Sequence, residues 1–335
     1  MDKTNNKDIF WQQIRGGTIL AVIFIHCHNG VELPLNSING ASYFILRNLM
    51  NFPVNMFFFM SGFFMKPVDD VKAFYKKRLP KLVIPYLFYT VAYLGMSAVF
   101  GNGISVKRII LAVFLGTAST PLYYIVVLTY FTLLAPFLLK TVQSKKNSII
   151  IMASAPAFLL VAYAIRFAGT DIWNYLKYTP VWLSFYYLGM IIKAYKPAFN
   201  RTILWILLPV SFACELISTR ILLKPFGVIA YSQMRFAGAF FSVIIILLAY
   251  EYSKKSDKND KCKWLAVIGD DSYAIYYMHC AFLMVFTRVI TFKDNSILPL
   301  YQFGEIIFAV LMCESAIFVI KKVFKSKKMR LIFGV

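Results

Sequence analysis

The chain has 335 residues, of which 59% are hydrophobic and 15% charged, with 36 Lys and Arg against 15 Asp and Glu and a formal net charge of +21. Its mean hydropathy is +0.65. A soluble domain of this length carries far more charged surface, so apolar residues gathered in long blocks exclude a water-soluble fold.

A bilayer core about 30 Å thick takes roughly 20 apolar residues per helix. Ten stretches meet that requirement, near 14–30, 43–65, 82–100, 121–139, 148–168, 176–193, 202–223, 232–252, 268–291 and 297–320. Membrane β-strands need about 9–11 residues of alternating polarity. Runs such as FFFMSGFF and SVIIILLAY do not alternate. The expected fold is therefore all-α: a single domain over 1–335, a polytopic transmembrane bundle of about ten helices. The N-terminus, MDKTNNKDIFWQQ, is polar, and no small-residue cleavage site follows the first apolar run. The first stretch reads as a retained helix and not a signal peptide.

Charge placement sets the orientation. With the N-terminus inside, the cytoplasmic segments hold 26 of the 36 Lys and Arg and the outer segments 8, while Arg47 and Arg235 lie inside apolar stretches. This is the positive-inside pattern, with both termini cytoplasmic. It assigns the basic surplus to topology and to anionic lipid heads, and it excludes nucleic acid as a partner.

An ionisable group at membrane depth costs at least about 2.5–3.5 kcal/mol on insertion scales, so each asks for a reason. In the first stretch, Arg15 and His26 are separated by ten residues, R-GGTILAVIFI-H. Eleven steps of about 100° close within about 20° of three turns. That puts both side chains on one face, about 16 Å apart. Gly16 and Gly17 allow close approach beside Arg15. The plainer alternatives are a snorkelling arginine and a hydrogen-bonded core histidine. His28, two positions on, reads as solvent-facing.

The second stretch carries Arg47, Asn51 and Asn55, then Ser61 inside FFFMSGFF. The segment KPVDDVKAFYKKRLPK (66–81) places Val71, Phe74, Tyr75 and Leu79 at helical spacing among Lys72, Lys76, Lys77 and Arg78. It reads as a basic amphipathic helix on the inner membrane surface, or as a plain topogenic loop. Arg235, in the eighth stretch, lies with Arg47 near the outer face. The two line an outward cavity with His26 or snorkel outward. Glu215, Glu305 and Glu314 lie in apolar stretches and require partners.

The ninth stretch, IGDDSYAIYYMH, puts Ser272, Tyr276 and His279 at i, i+4 and i+7, one helix face. Asp270 and Asp271 are placed at its cytoplasmic start, where carboxylates favour a helix N-terminus. The alternative for this stripe is polar glue between helices. Five cysteines, Cys27, Cys214, Cys262, Cys280 and Cys313, form no close pair and no metal spacing, and they read as small buried hydrophobes. No metal is expected. The tail, 321–335, reads as a basic solvated anchor on the cytoplasmic side.

Together, Arg15-x10-His26, FFFMSGFF (57–64), KKRLPKLVIPY (76–86) and GDDSYAIYYMH (269–279) resemble the acyltransferase-3 family of bacterial membrane acyltransferases, over the whole chain. The resemblance implies transfer of an acyl group, usually acetyl from acetyl-CoA, to a cell-surface carbohydrate. It implies His26 as base or acyl relay with Arg15 on the same face, and a CoA site at Arg78, Lys81 and Lys77. Supporting positions are His279, Tyr276, Ser272, Ser61, Arg47 and Arg235. The chain departs from the family in having Arg78-x-x-Lys81 where a second arginine is common. It also has Asn55 where a proline is common, and Tyr123 or Tyr124 for a tryptophan.

The chemistry of the residues agrees. Acyl transfer to a hydroxyl needs a base with a pKa near ambient, and histidine is the natural candidate. The donor's phosphates need cytoplasmic cations, which Arg78 and Lys81 provide. The sequence thus points to a multi-pass enzyme of the bacterial plasma membrane, with acyl-CoA, a carbohydrate acceptor and membrane lipids as partners. The rival is an export permease for a glycan or small anionic solute, but the two halves show no matching broken helices.

Overall fold

A computed structural model of the protein describes residues 9–100, 103–170, 177–178, 180–254, 262–293 and 296–335. The expectations for the extreme N-terminus and for most of the basic loop near 254–263 fall outside the described residues. All regular structure among the described residues is helical. We number the helices α1 (Ile9–His26), α2 (Ile38–Leu49), α3 (Pro53–Phe63), α4 (Val71–Val99), α5 (Val106–Leu115), α6 (Tyr123–Thr141), α7 (Lys145–Phe167), α8 (Leu183–Tyr195), α9 (Arg201–Phe226), α10 (Phe236–Ser253), α11 (Lys263–Val289), α12 (Leu298–Val323) and α13 (Lys327–Ile332).

Among the described residues, six helices are long and apolar enough to cross a membrane: Val71–Val99, Thr120–Thr141, Lys145–Phe167, Arg201–Tyr231, Phe236–Ser253 and Leu298–Val323. The other four of the ten expected spans do not qualify alone, for identifiable reasons. Gln12, Gln13, Arg15 and His26 dilute α1, and Asp270, Asp271 and His279 dilute α11. The second expected span, 43–65, is broken between α2 and α3, where Pro53 opens the new helix. Helix α8 has only 13 residues.

Helices α1, α3, α8 and α11 form the interior of the bundle together with α6 and α10, whose spans are 61% and 56% buried. Helix α1 lies along α11, and α3 lies along α8. Both contacts depend on missing side chains. A Cβ on Gly16 would sit 2.0 Å from the Leu265 carbonyl oxygen, and one on Gly269 would sit 1.8 Å from that of Gln12. At the second contact, a Cβ on Gly62 would sit 1.8 Å from the Tyr186 oxygen and one on Gly189 2.2 Å from that of Phe59. Gly17 has nothing within 4 Å of such an atom, so the close approach uses Gly16 alone. Around this interior, α7, α9 and α12 present mostly exposed apolar side chains, as lipid-facing helices do.

Three local expectations change. The basic segment 66–81 is not a separate interfacial helix: α4 runs unbroken from Val71, where the Asp70 side chain accepts from the Ala73 amide at 3.0 Å, to Val99. Helix α11 starts at Lys263, so Asp270 and Asp271 lie two turns inside it. Asp271 pairs with Lys321 of α12 at 2.7 Å. The tail folds back: Phe333 meets Phe88 at 5.0 Å, its carbonyl accepts from the Tyr89 hydroxyl at 3.3 Å, and Gly334 lies against Tyr273 and Tyr277. An apolar Leu-Ile-Phe end explains why this stretch docks and does not stay solvated.

Candidate active site

Two constellations stand end to end along α1 and α11. The first is a cavity of about 400 Å³. Its walls are Arg15 from α1, Phe57, Met60 and Ser61 from α3, Arg78 and Lys81 from α4, Tyr124 and Leu128 from α6, and Ser272, Tyr273 and Tyr276 from α11. Six residues expected at the site thus meet in one space: Arg15, Ser61, Arg78, Lys81, Ser272 and Tyr276. Three cations face hydroxyls and aromatic rings. Arg15 is steadied by Phe64, with its guanidinium carbon 5.4 Å from the ring centroid. Ser61 donates to the Phe57 carbonyl at 2.8 Å, and Gly62 beside it carries the helix contact, so each half of the Ser-Gly pair has its own task.

Lys77 is not in this cavity. It lines a neighbouring groove with Lys66, Asp69 and Asp70, and Arg78 forms part of both walls. Successive residues on a helix point about 100° apart, which keeps Lys77 out of the cavity that its neighbour Arg78 reaches.

The second constellation is a histidine pair. The rings of His26 and His279 lie 5.1 Å apart, with His279 Nε2 3.4 Å from His26 Nδ1. His26 Nδ1 is 2.8 Å from the Val22 carbonyl, and His279 Nδ1 is 3.1 Å from that of Ile275. A carbonyl only accepts, so in the neutral rings each Nδ1 carries the proton and each Nε2 carries the lone pair. His279 is fully buried and His26 partly so. The Tyr276 ring, 5.9 Å from His279 and 5.3 Å from Tyr124, separates this pair from the cavity, and its hydroxyl donates to the Pro121 carbonyl.

Arg47 and Arg235 belong elsewhere. Arg235 is 1% exposed and forms an ion pair with Glu215, while its other nitrogens donate to Ser218 Oγ at 3.1 Å and the Ser232 carbonyl at 2.9 Å. Asn51 donates to the same carboxylate at 2.6 Å and accepts from Arg47 at 3.1 Å. The Arg-Asn-Glu-Arg chain ties α2, α9 and the start of α10 together. This supplies the partner that Glu215 required. Glu305 accepts from the His28 amide at 2.8 Å, and the His28 ring is half-buried against Phe292 and Tyr301, not solvent-facing.

Reading the stripe as Ser272, Tyr276 and His279 passed over Tyr273 and Cys280. Their spacing from Tyr276, three residues before and four after, puts both on its face. Cys280 Sγ lies 3.4 Å from His279 Nε2. Of the two tyrosines weighed at the family's tryptophan position, Tyr124 lines the cavity, and Tyr123 sits beside Trp182 and Lys177. The five cysteines are free.

Compared with known families, residues 8–320 match a family model described as an acyltransferase domain, nearly the whole chain. Searches of curated proteins and of solved structures gave no match.

Proposed function

The chain belongs to the acyltransferase-3 family, and from that premise we propose that this membrane acyltransferase is an O-acyltransferase of the bacterial plasma membrane. It moves an acetyl or other short acyl group from cytoplasmic acyl-CoA to a hydroxyl of a cell-surface or lipid-linked carbohydrate. Both termini face the cytoplasm, so the end of α1 that bears Arg15 and the start of α4 are on the donor side.

The observation that carries this reading is the shared cavity of Arg15, Arg78 and Lys81 with Ser61, Ser272 and Tyr276. Three cations at one mouth suit a polyanionic donor, and Arg78 offers the planar guanidinium that pairs with phosphate in two-pronged fashion. The hydroxyl-lined interior suits the polar thioester arm. His26 stands about 16 Å further along α1 from Arg15. With its Nδ1 proton held by Val22, it presents Nε2 as the base for the acceptor hydroxyl.

The test is steady-state transfer of radiolabelled acetyl from acetyl-CoA to a glycan extract by the purified chain. Replacing Arg78 and Lys81 together by Ala is expected to raise KM for acetyl-CoA at least tenfold, since each lost charge-assisted contact is worth about 1.5–3 kcal/mol. An unchanged KM in the double variant would move the donor site away from this cavity.

A further inference from the structure

The donor cavity and the base do not coincide. His26 is absent from the cavity wall, which ends on α11 at Tyr276. The next residue along that face, one turn further, is Cys280, and it is half-buried. Its Sγ lies 3.4 Å from His279 Nε2, the nitrogen that carries the lone pair because Nδ1 donates to the Ile275 carbonyl. A nucleophile, a base within hydrogen-bond reach and a third group that fixes the base make up the arrangement of an activated thiol. The thiol, His279 and His26 each offer an atom within 4.8 Å of the other two. The thiol therefore borders the last residue of the cavity wall on one side and His26 on the other.

We propose that Cys280 is an acyl relay: it takes the acyl group from the donor thioester and holds it for the acceptor activated by His26. The relay rests on the acyl-CoA reading above. In the first half-reaction Cys280 Sγ attacks the thioester carbonyl while His279 Nε2 takes the thiol proton. The bond from the acyl carbon to the CoA sulfur breaks, and that sulfur leaves with the proton. One thioester replaces another, so no oxidant or further reactant is needed. In the second half-reaction the acceptor oxygen attacks the Cys280 thioester as His26 Nε2 takes its proton. The bond from the acyl carbon to Cys280 Sγ breaks, an oxygen ester forms, and a proton returns to the sulfur through His279, 3.4 Å from both His26 and Cys280. Splitting the transfer in this way lets the acyl group cross past Tyr276 without CoA following it.

The experiment omits the acceptor. The full chain, purified in detergent, is incubated with [14C]acetyl-CoA, then with unlabelled CoA. The wild type should carry label on the peptide that contains Cys280, lose it to neutral hydroxylamine, and exchange label between acetyl-CoA and free CoA. Cys280→Ala should abolish label and exchange, and lower transfer to glycan at least 100-fold, with acetyl-CoA binding intact. Cys280→Ser, close in size and able to hold the acyl group as a slower oxygen ester, should keep the fold and accumulate label. Cys214→Ser should behave as wild type. Transfer by Cys280→Ala at the wild-type rate, or transfer by an enzyme that never becomes labelled, would overturn the relay and leave the acyltransferase reading standing. A wild type that binds acetyl-CoA but neither labels nor transfers would overturn the donor reading, and the relay with it.

Discussion

The helices most open to lipid, α7, α9 and α12, contribute no wall to the donor cavity and no ring to the histidine pair. Helices α7, α9 and α12 are apolar over most of their length and bury only 22%, 17% and 22% of their spans within the protein. Helices α1, α3, α8 and α11 are shorter or more polar, and they pack on one another through Gly16, Gly269, Gly62 and Gly189. Lipid has no shape to match, so the outer set needs only hydrophobicity and length. The inner set needs complementary surfaces, because small residues and polar partners hold helices together where no hydrophobic gradient drives association. Chemistry accumulates where charges find partners, which is the interior. The predictions below press on that division.

The largest effect belongs to His26. A positioned base contributes about 10²–10⁴ in rate, so His26→Ala should leave at most about 1% of turnover at matched membrane abundance. Donor affinity should not change, because the cations that line the donor cavity lie at the far end of α1. Turnover near wild type would remove the chemical role assigned to the inner end of the site.

Next is the buried network. Removing one partner of a buried ion pair costs about 3–5 kcal/mol, since the remaining charge is uncompensated. Arg235→Met leaves Glu215, which is fully buried, without its ion-pair partner and should lower the melting temperature in detergent sharply. Arg235→Met with Glu215→Leu should recover most of the loss. If both variants melt alike, the pair is not what the interior depends on here.

Glycine separates the two faces of a single helix contact. A Cβ on Gly269 meets a backbone oxygen at 1.8 Å, whereas one on Gly17 meets nothing within 4 Å. Gly269→Ala should therefore destabilise by about 1–3 kcal/mol or more, through forced separation of α1 and α11. Gly17→Ala should stabilise by about 0.5–1 kcal/mol, because alanine loses less entropy in a helix. Equal signs in a thermal-shift measurement would contradict this packing.

The same division governs what the sequence reveals. Span-length apolar blocks identified the outer helices directly, because lipid contact is a composition requirement. Helical spacing singled out Arg15 with His26 and Ser272 with Tyr276, whereas Ser61, Arg78 and Lys81 stood out through the family resemblance; that these residues line one cavity was not written in any single helix. The pairing of His26 with His279, 253 positions apart, left no local trace. Neither did Arg235 with Glu215. Such contacts depend on which helices become neighbours, and spacing within one helix does not carry that information. The break between α2 and α3 was signalled by Pro53, but the apolar run on both sides concealed it. The docking of Phe333 on Phe88 was hidden by the lysines that precede it.

The smallest effect tests the division most directly. Ile→Leu conserves volume and hydrophobicity and changes only shape. At Ile217, on the lipid-facing side of α9 and 59% exposed, the new side chain meets fluid acyl chains that adjust to it. The change in stability should stay within about 0.5 kcal/mol. At Ile23, on α1 and fully buried, the branch point moves against fixed neighbours, and repacking costs up to about 1.5 kcal/mol. Neither residue touches the cavity or the histidine pair by hydrogen bond, so turnover should follow folded abundance in both variants. The measurement is the midpoint of unfolding for the two single variants and the double. The sites share no partner, so the double should equal the sum of the singles within about 0.5 kcal/mol. A loss at Ile217 equal to that at Ile23 would mean that α9 is not facing lipid in the native assembly, and the outer shell would need another layer around it.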